Sequence, residues 1–70
     1  MSEYVVIYEK SDDGGWGAYL PDLPGVVALG SSSAAVSERI REALRAYAED
    51  LHERGEELPA PHHSAGTVAA

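Results

Sequence analysis

Apolar and polar positions along this chain change their period once, near Gly30, dividing it into a strand-rich first part and a helical second part. Tyr4-Val5-Val6-Ile7-Tyr8 is β-branched or aromatic throughout, which is the composition of a strand. Tyr4, Val6 and Tyr8 would share one side and Val5 and Ile7 the other, so both faces of this strand should be covered. The Ser11-Asp12-Asp13-Gly14-Gly15 run gathers residues that tolerate tight turns and predicts a hairpin loop. Two further strands follow, Trp16 to Leu20 and Val26 to Leu29, again apolar at odd and even positions. Between them lies Pro21-Asp22-Leu23-Pro24-Gly25. Pro21 and Pro24 preset φ, and Gly25 can supply the positive φ that a type II turn needs after a proline. Three strands joined by two short turns predict an antiparallel meander.

Past Gly30 the period becomes helical. Val36, Ile40, Leu44, Tyr47 and Leu51 recur at spacings of four and three, forming one apolar stripe on a helix of about twenty residues. Ser32 or Ser33 is the expected N-cap, and Arg54 with Gly55 supplies a cation and a stop at the other end. Residues 59–70 carry Pro59 and Pro61 and run extended; Thr67 to Ala70 reads either as a short fourth strand or as a tail. If it is a strand, the helix is the crossover that returns it parallel to the meander.

One helical stripe covers one face of a sheet, yet these strands are apolar on both. The second face is therefore expected to be buried against another copy, a swapped segment or a different protein, and a homo-oligomer, dimer or tetramer, is the leading expectation. The alternative within one chain is that the tail folds across it.

Size and charge narrow the function. Seventy residues make one domain, 1–70, and such a domain buries only about 60% of the surface of its unfolded chain, so a partner subunit is a common source of extra stability. The chain has no cysteine and no apolar run of membrane-spanning length, so a soluble cytoplasmic protein is expected. Twelve acidic residues against five Lys and Arg give a formal charge of -7. That field repels phosphates and favours a basic protein partner, so direct DNA or RNA binding is not expected. Arg39, Arg41, Arg45 and Arg54 lie on the helix among a similar number of acids, a solvated face with internal pairing rather than a nucleic-acid groove.

Catalytic chemistry finds little footing. Metal-dependent phosphodiester hydrolysis needs carboxylates converging from the middle of the sheet, but Val5-Val6-Ile7 occupies the centre of the first strand. His62 and His63 point apart in an extended chain and are not assisted by cysteine; with His52 they read as solvated residues, not metal ligands. Asp12 and Asp13 lack the regular oxygen spacing of a calcium loop. No serine stands in a nucleophile context. No catalytic residue, metal or cofactor is expected, and Trp16 is either an interface anchor or packing beneath the helix.

The ordered set of the aromatic first strand, the acidic-glycine turn, Trp16, Pro21-Asp22-Leu23-Pro24-Gly25, Gly30, Ile40-Arg41-Glu42-Ala43-Leu44 with Tyr47, Gly55 and Leu58-Pro59-Ala60-Pro61 resembles the HicB antitoxins. The resemblance covers residues 4–61. It implies an α+β domain with a partial ribonuclease-H-like β-β-β-α-β order, in a bacterial or archaeal antitoxin that neutralises a small basic HicA toxin, an mRNA-cleaving protein. Many such antitoxins carry a C-terminal DNA-binding domain, which this sequence does not contain. The start of the helix, often rich in Glu in that family, is here Ala34-Ala35-Val36. The expected function is a protein-binding module, with Asp12, Asp13, Trp16 and Asp22 as candidate partner-binding residues. An oligomeric scaffold or regulatory domain with no toxin is the alternative.

Overall fold

The computed structural model describes residues 3–70. It shows three strands and one helix: β1 (Ile7–Lys10), β2 (Trp16–Tyr19), β3 (Val27–Gly30) and α1 (Ser33–Glu53). The sheet order is β1-β2-β3, both pairs antiparallel. Lys10 stands opposite Trp16 and Ile7 opposite Tyr19; Trp16 also faces Gly30, and Tyr19 faces Val27. Directly opposed residues share a face. One face therefore carries Tyr8, Lys10, Trp16, Ala18, Ala28 and Gly30, and the other carries Ile7, Tyr19 and Val27 beside Glu9, Gly17 and Leu29.

The strands are shorter or displaced relative to the sequence reading. β1 begins at Ile7 instead of Tyr4, because β2 ends opposite Ile7 and then leaves the ladder. Leu20 closes the β2–β3 hairpin by donating its N–H to Val26 O at 3.3 Å. Two consecutive turns follow. Leu23 N–H donates to Leu20 O, and Val26 N–H donates to Leu23 O, each at 3.1 Å. Pro21 and Pro24 occupy the second position of each turn, where no N–H is required, and Gly25 has φ 100°, the positive value of a type II turn. The double turn folds Leu23 inward, where it is among the most completely buried side chains.

The helix covers the inner face. Ala18, Leu20, Leu23 and Val26 meet Val36 and Ile40 there, with Tyr4, Val6, Trp16, Ala28, Leu44, Tyr47 and Leu58 packed around them. Ser32 is the N-cap, its Oγ accepting the Ala35 N–H at 3.1 Å. At the other end Gly55 (φ 74°) donates to His52 O and Glu56 to Leu51 O, the double bond pattern of a Schellman stop. Helix and sheet meet most closely at Gly30. A Cβ there would stand 2.9 Å from Val36 Cγ2, so Val36, with no exposed surface, sits directly on the glycine backbone.

The C-terminal segment forms no strand, so the element order is β-β-β-α and not β-β-β-α-β. Leu58 packs on the core, and the Tyr4 hydroxyl donates to Pro59 O. The segment then reaches the β2–β3 turn, where Asp22 Oδ1 accepts the His62 N–H at 3.0 Å and lies 2.7 Å from His63 Nδ1. Pro59 and Pro61 remove ladder donors and the anchor lies at the turn, so Thr67 to Ala70 pairs with no strand and is exposed. The reading of His62 and His63 as free tail residues is corrected accordingly: both are tied to Asp22. His63 lowers the Asp22 carboxyl below its ordinary value of 3.8, helped by the His62 N–H and opposed by burial.

Two predictions follow from these contacts. Gly30→Ala forces a methyl into Val36 and should destabilise the fold by about 1–3 kcal/mol in urea unfolding, as overpacking does. Gly66→Ala, with nothing within 4 Å, should leave the midpoint unchanged. Because the Asp22 carboxyl is lowered in the folded state, the tail attachment is complete above its ordinary value and is lost as pH falls through the lowered one. The protection of the His62 amide, its exchange relative to an unstructured amide at the same pH, should therefore be high at neutral pH and lost in acid. In Asp22→Ala it should be low at both.

Candidate functional site

The sheet face away from the helix is apolar and open. Val27 is 62% exposed and Leu29 76%, with Tyr19 also exposed and Ile7 half-buried between them. The tail does not cover this face; residues 62–70 are themselves exposed and are tethered at the β2–β3 turn. The face has relief. Ile7, Tyr19 and Val27 form a ridge of side chains across three strands, and in the next cross-strand row Gly17 leaves a gap between Glu9 and Leu29. Leu29 leans towards the gap, its Cδ2 lying 3.3 Å from where a Gly17 Cβ would be. The resulting concavity, about 700 Å³, is bounded by Tyr19, Val27, Leu29 and the Glu9–Lys10 end of β1, and reaches Ser11 and Asp13.

The β1–β2 loop closes one end of this surface. Gly14 N–H donates to Ser11 O at 3.0 Å, and Ser11 N–H donates to Gly15 O at 2.8 Å. Asp13 Oδ1 accepts both the Ser11 hydroxyl and the Gly15 N–H. The Ser11 bond first, then the Gly15 N–H, hold the Asp13 carboxyl below the usual carboxylate range, so it stays ionised. Asp13 thus builds the loop as well as charging it, while Asp12 is exposed beside it.

The four candidate partner-binding residues do not converge. Asp12, Asp13 and Trp16 lie at one end of β2, and Asp22 lies beyond the other. Trp16 is half-buried on the inner face and packs against the core, lining a shallow depression with Tyr8, Ser33 and Ser37 at the start of α1. Asp22, the fourth candidate, does not present its carboxylate to solvent. Its side chain is only 3% exposed, and one oxygen is taken by the tail.

The residues that dominate the open surface, Tyr19, Val27 and Leu29, were not among those four. Their signal was the double-sided apolar pattern of the strands, which marks a covered face without ranking its residues. On the helix, Arg39 Nη1 donates to Leu29 O at 2.6 Å, so this cation holds a carbonyl of edge strand β3. Arg54 pairs with Asp50 and Glu56 on the surface. Among the described residues no group of three or more His, Asp or Glu converges as a metal site, and no helix is long and apolar enough to cross a membrane.

Comparison with known proteins gives this architecture a family. The model of the HicB-like antitoxins of bacterial toxin-antitoxin systems matches residues 4–70. A UPF0150 protein of Thermoplasma acidophilum is 37% identical over 57 residues, spanning 81% of this chain and 83% of that protein. The crystal structure of the N-terminal domain of the Burkholderia pseudomallei antitoxin HicB aligns with a TM-score of 0.71 at 29% identity, over 89% of this chain and 69% of that one. Three antiparallel strands followed by one helix are thus an α+β fold shared with that domain, and the chain belongs to the HicB-like antitoxin family.

Proposed function

We propose that this chain neutralises a small basic HicA-like, mRNA-cleaving toxin in the cytoplasm by covering the toxin's RNA-binding or catalytic surface, and that it does so as a homo-oligomer. Family membership points to a toxin as partner and suggests a non-catalytic role. The observation that carries the mechanism is the acidic β1–β2 loop. Asp12 and Asp13 project from a loop fixed by its own hydrogen bonds, on a chain of net charge -7. A basic surface that binds RNA phosphates attracts fixed carboxylates for the same reason, so the two compete for the same cations. Trp16 packs against the core beside the first turn of the helix, at the same end of β2 as the loop. Asp22 acts inside the chain, as the anchor of the tail.

Tagged protein should co-purify with a short basic protein encoded in an adjacent reading frame and suppress its cleavage of RNA. If no such protein co-purifies, and a neighbouring toxin kills cells whether or not this chain is present, the antitoxin role is refuted. Asp12→Lys, which leaves the loop bonds of Asp13 intact, should weaken toxin association by roughly tenfold, mostly through a slower and less salt-dependent on-rate. The measurement is surface plasmon resonance across a salt series.

A further inference from the structure

We propose that the β2–β3 turn holds a latent docking site for an arginine-bearing extended segment of a basic partner, with Asp22 as the carboxylate that receives it and residues 58–63 of this chain as the internal segment it displaces. Such a site rests on the reading of a basic partner and adds to it a second contact, at the far end of β2 from the acidic loop.

The state of Asp22 is the first ground. Its side chain is 3% exposed, although Pro24 and Gly25 of the same turn are exposed. The C-terminal segment supplies two donors, the His62 N–H at 3.0 Å and His63 Nδ1 at 2.7 Å, and both fall on Oδ1. Oδ2 is buried with no donor among the described residues. An ionised carboxylate accepts on both oxygens, and an oxygen withdrawn from water without a donor loses its hydration for nothing in return. An imidazole reaches one oxygen through one nitrogen. A guanidinium presents two parallel N–H groups in one plane, a geometry that serves both oxygens at once. Asp22 is thus loaded on one side, and the side chain that loads both is arginine.

The way residues 58–63 lie on the domain is the second ground. Leu58 packs on the core, Pro59 O accepts the Tyr4 hydroxyl, and the His62 N–H reaches Asp22. Two of these three contacts are made by main-chain atoms, which any sequence carries. Pro59 and Pro61 hold the intervening chain extended, the preformed geometry in which peptides dock with little loss of freedom. An external segment with an apolar residue and, five positions later, a cation repeats the spacing of Leu58 and His63 and can make the same contacts in the same order.

Charge selects the occupant. No Lys or Arg follows Arg54, so imidazole is the only side chain of this segment that can meet the carboxylate as a cation. Glu56 and Glu57 lead into it, exposed acids that attract a basic chain and repel an acidic one. Arginine carries a permanent charge, so a basic protein brings to Asp22 what this chain lacks there. Because the site is filled from within, a partner meets only the fraction of molecules whose segment has lifted, and its apparent affinity is reduced by that fraction.

Protection of the His62 amide tests the receptor without any partner. In His63→Arg it should rise at least about fivefold over wild type at neutral pH, and in His63→Lys by clearly less, because an ammonium does not span both oxygens. In His63→Ala it should fall. The His63 side chain is exposed, so helical circular dichroism should be unchanged in all three. A synthetic hexapeptide of the 58–63 sequence with arginine as its last residue, added at millimolar concentration, should lower His62 protection in the wild type more than the same peptide ending in alanine. Equal protection in His63→Arg and His63→Lys, or equal effects of the two peptides, overturns the proposal. So does protection that falls on dilution of the wild type, which would place the segment of a second copy on Asp22. The basic protein that co-purifies with this chain should bind His63→Ala more tightly and His63→Arg more weakly, each by at least about threefold in surface plasmon resonance. Association that depends on Asp12 but not on position 63 overturns this docking site and leaves the antitoxin reading intact. If the exchange and peptide results hold and no basic protein co-purifies, the arginine receptor stands and the antitoxin reading falls.

Discussion

The seating of Val36 on Gly30 sets the geometry on which the remaining packing depends. A helix can approach a sheet closely only where the sheet withdraws a side chain, and Gly30 ends β3 without one. With Val36 fixed there and Ser32 capping the helix four residues earlier, α1 is aimed across β3 and β2, and Ile40 lands among Ala18, Leu20 and Val26. The strands in turn owe their positions to the two turns. Pro21, Pro24 and Gly25 bring Leu23 and Val26 into the core from what would otherwise be a solvent loop.

This arrangement makes the domain two-sided. One helix covers one face, and among the described residues no second layer covers the other. The division of charge follows the same line, with unmatched acids in the β1–β2 loop and after the helix and Glu9 alone carrying charge on the outer sheet rows. An apolar face and an acidic end on one small chain are suited to different partners, because burial selects for matching shape and long-range attraction selects for opposite charge. The acidic loop and the apolar sheet face are thus two separate surfaces of one domain, one charged and one not.

Most of the architecture was legible in the chain because local chemistry dictated it. The Val36, Ile40 and Leu51 stripe, the Ser32 cap, the Gly55 stop and the Gly25 turn each depend on residues within a few positions of one another. The misplacements all involve longer range. Tyr4 to Val6 has strand composition, but pairing is decided by where β2 stops, and Leu20 stops it for the sake of the double turn. The fourth strand required an alignment that Pro59, Pro61 and the Asp22 anchor prevent. Asp22 is a candidate partner-binding residue by sequence, and its carboxylate is held within the chain. Its partners, His62 and His63, lie forty positions away, and nothing in the local pattern announces them. The same limit applies to the open sheet face: alternation locates it, but only the register shows that Gly17 stands beside Leu29 in the row next to Tyr19.

The Asp22 anchor has one asymmetry with a dynamic consequence. Oδ1 accepts two donors, whereas Oδ2 is buried with no donor among the described residues. A carboxylate oxygen withdrawn from solvent without a bond offsets part of what its neighbour gains. The strap over the sheet's end is thus held by opposing contributions, and its release restores hydration to Oδ2 while leaving Val36, Ile40 and Leu23 in place. Such a segment is a separate unit of local opening. Opening of this attachment alone would solvate the β2–β3 turn without breaking the contacts of Val36, Ile40 and Leu23.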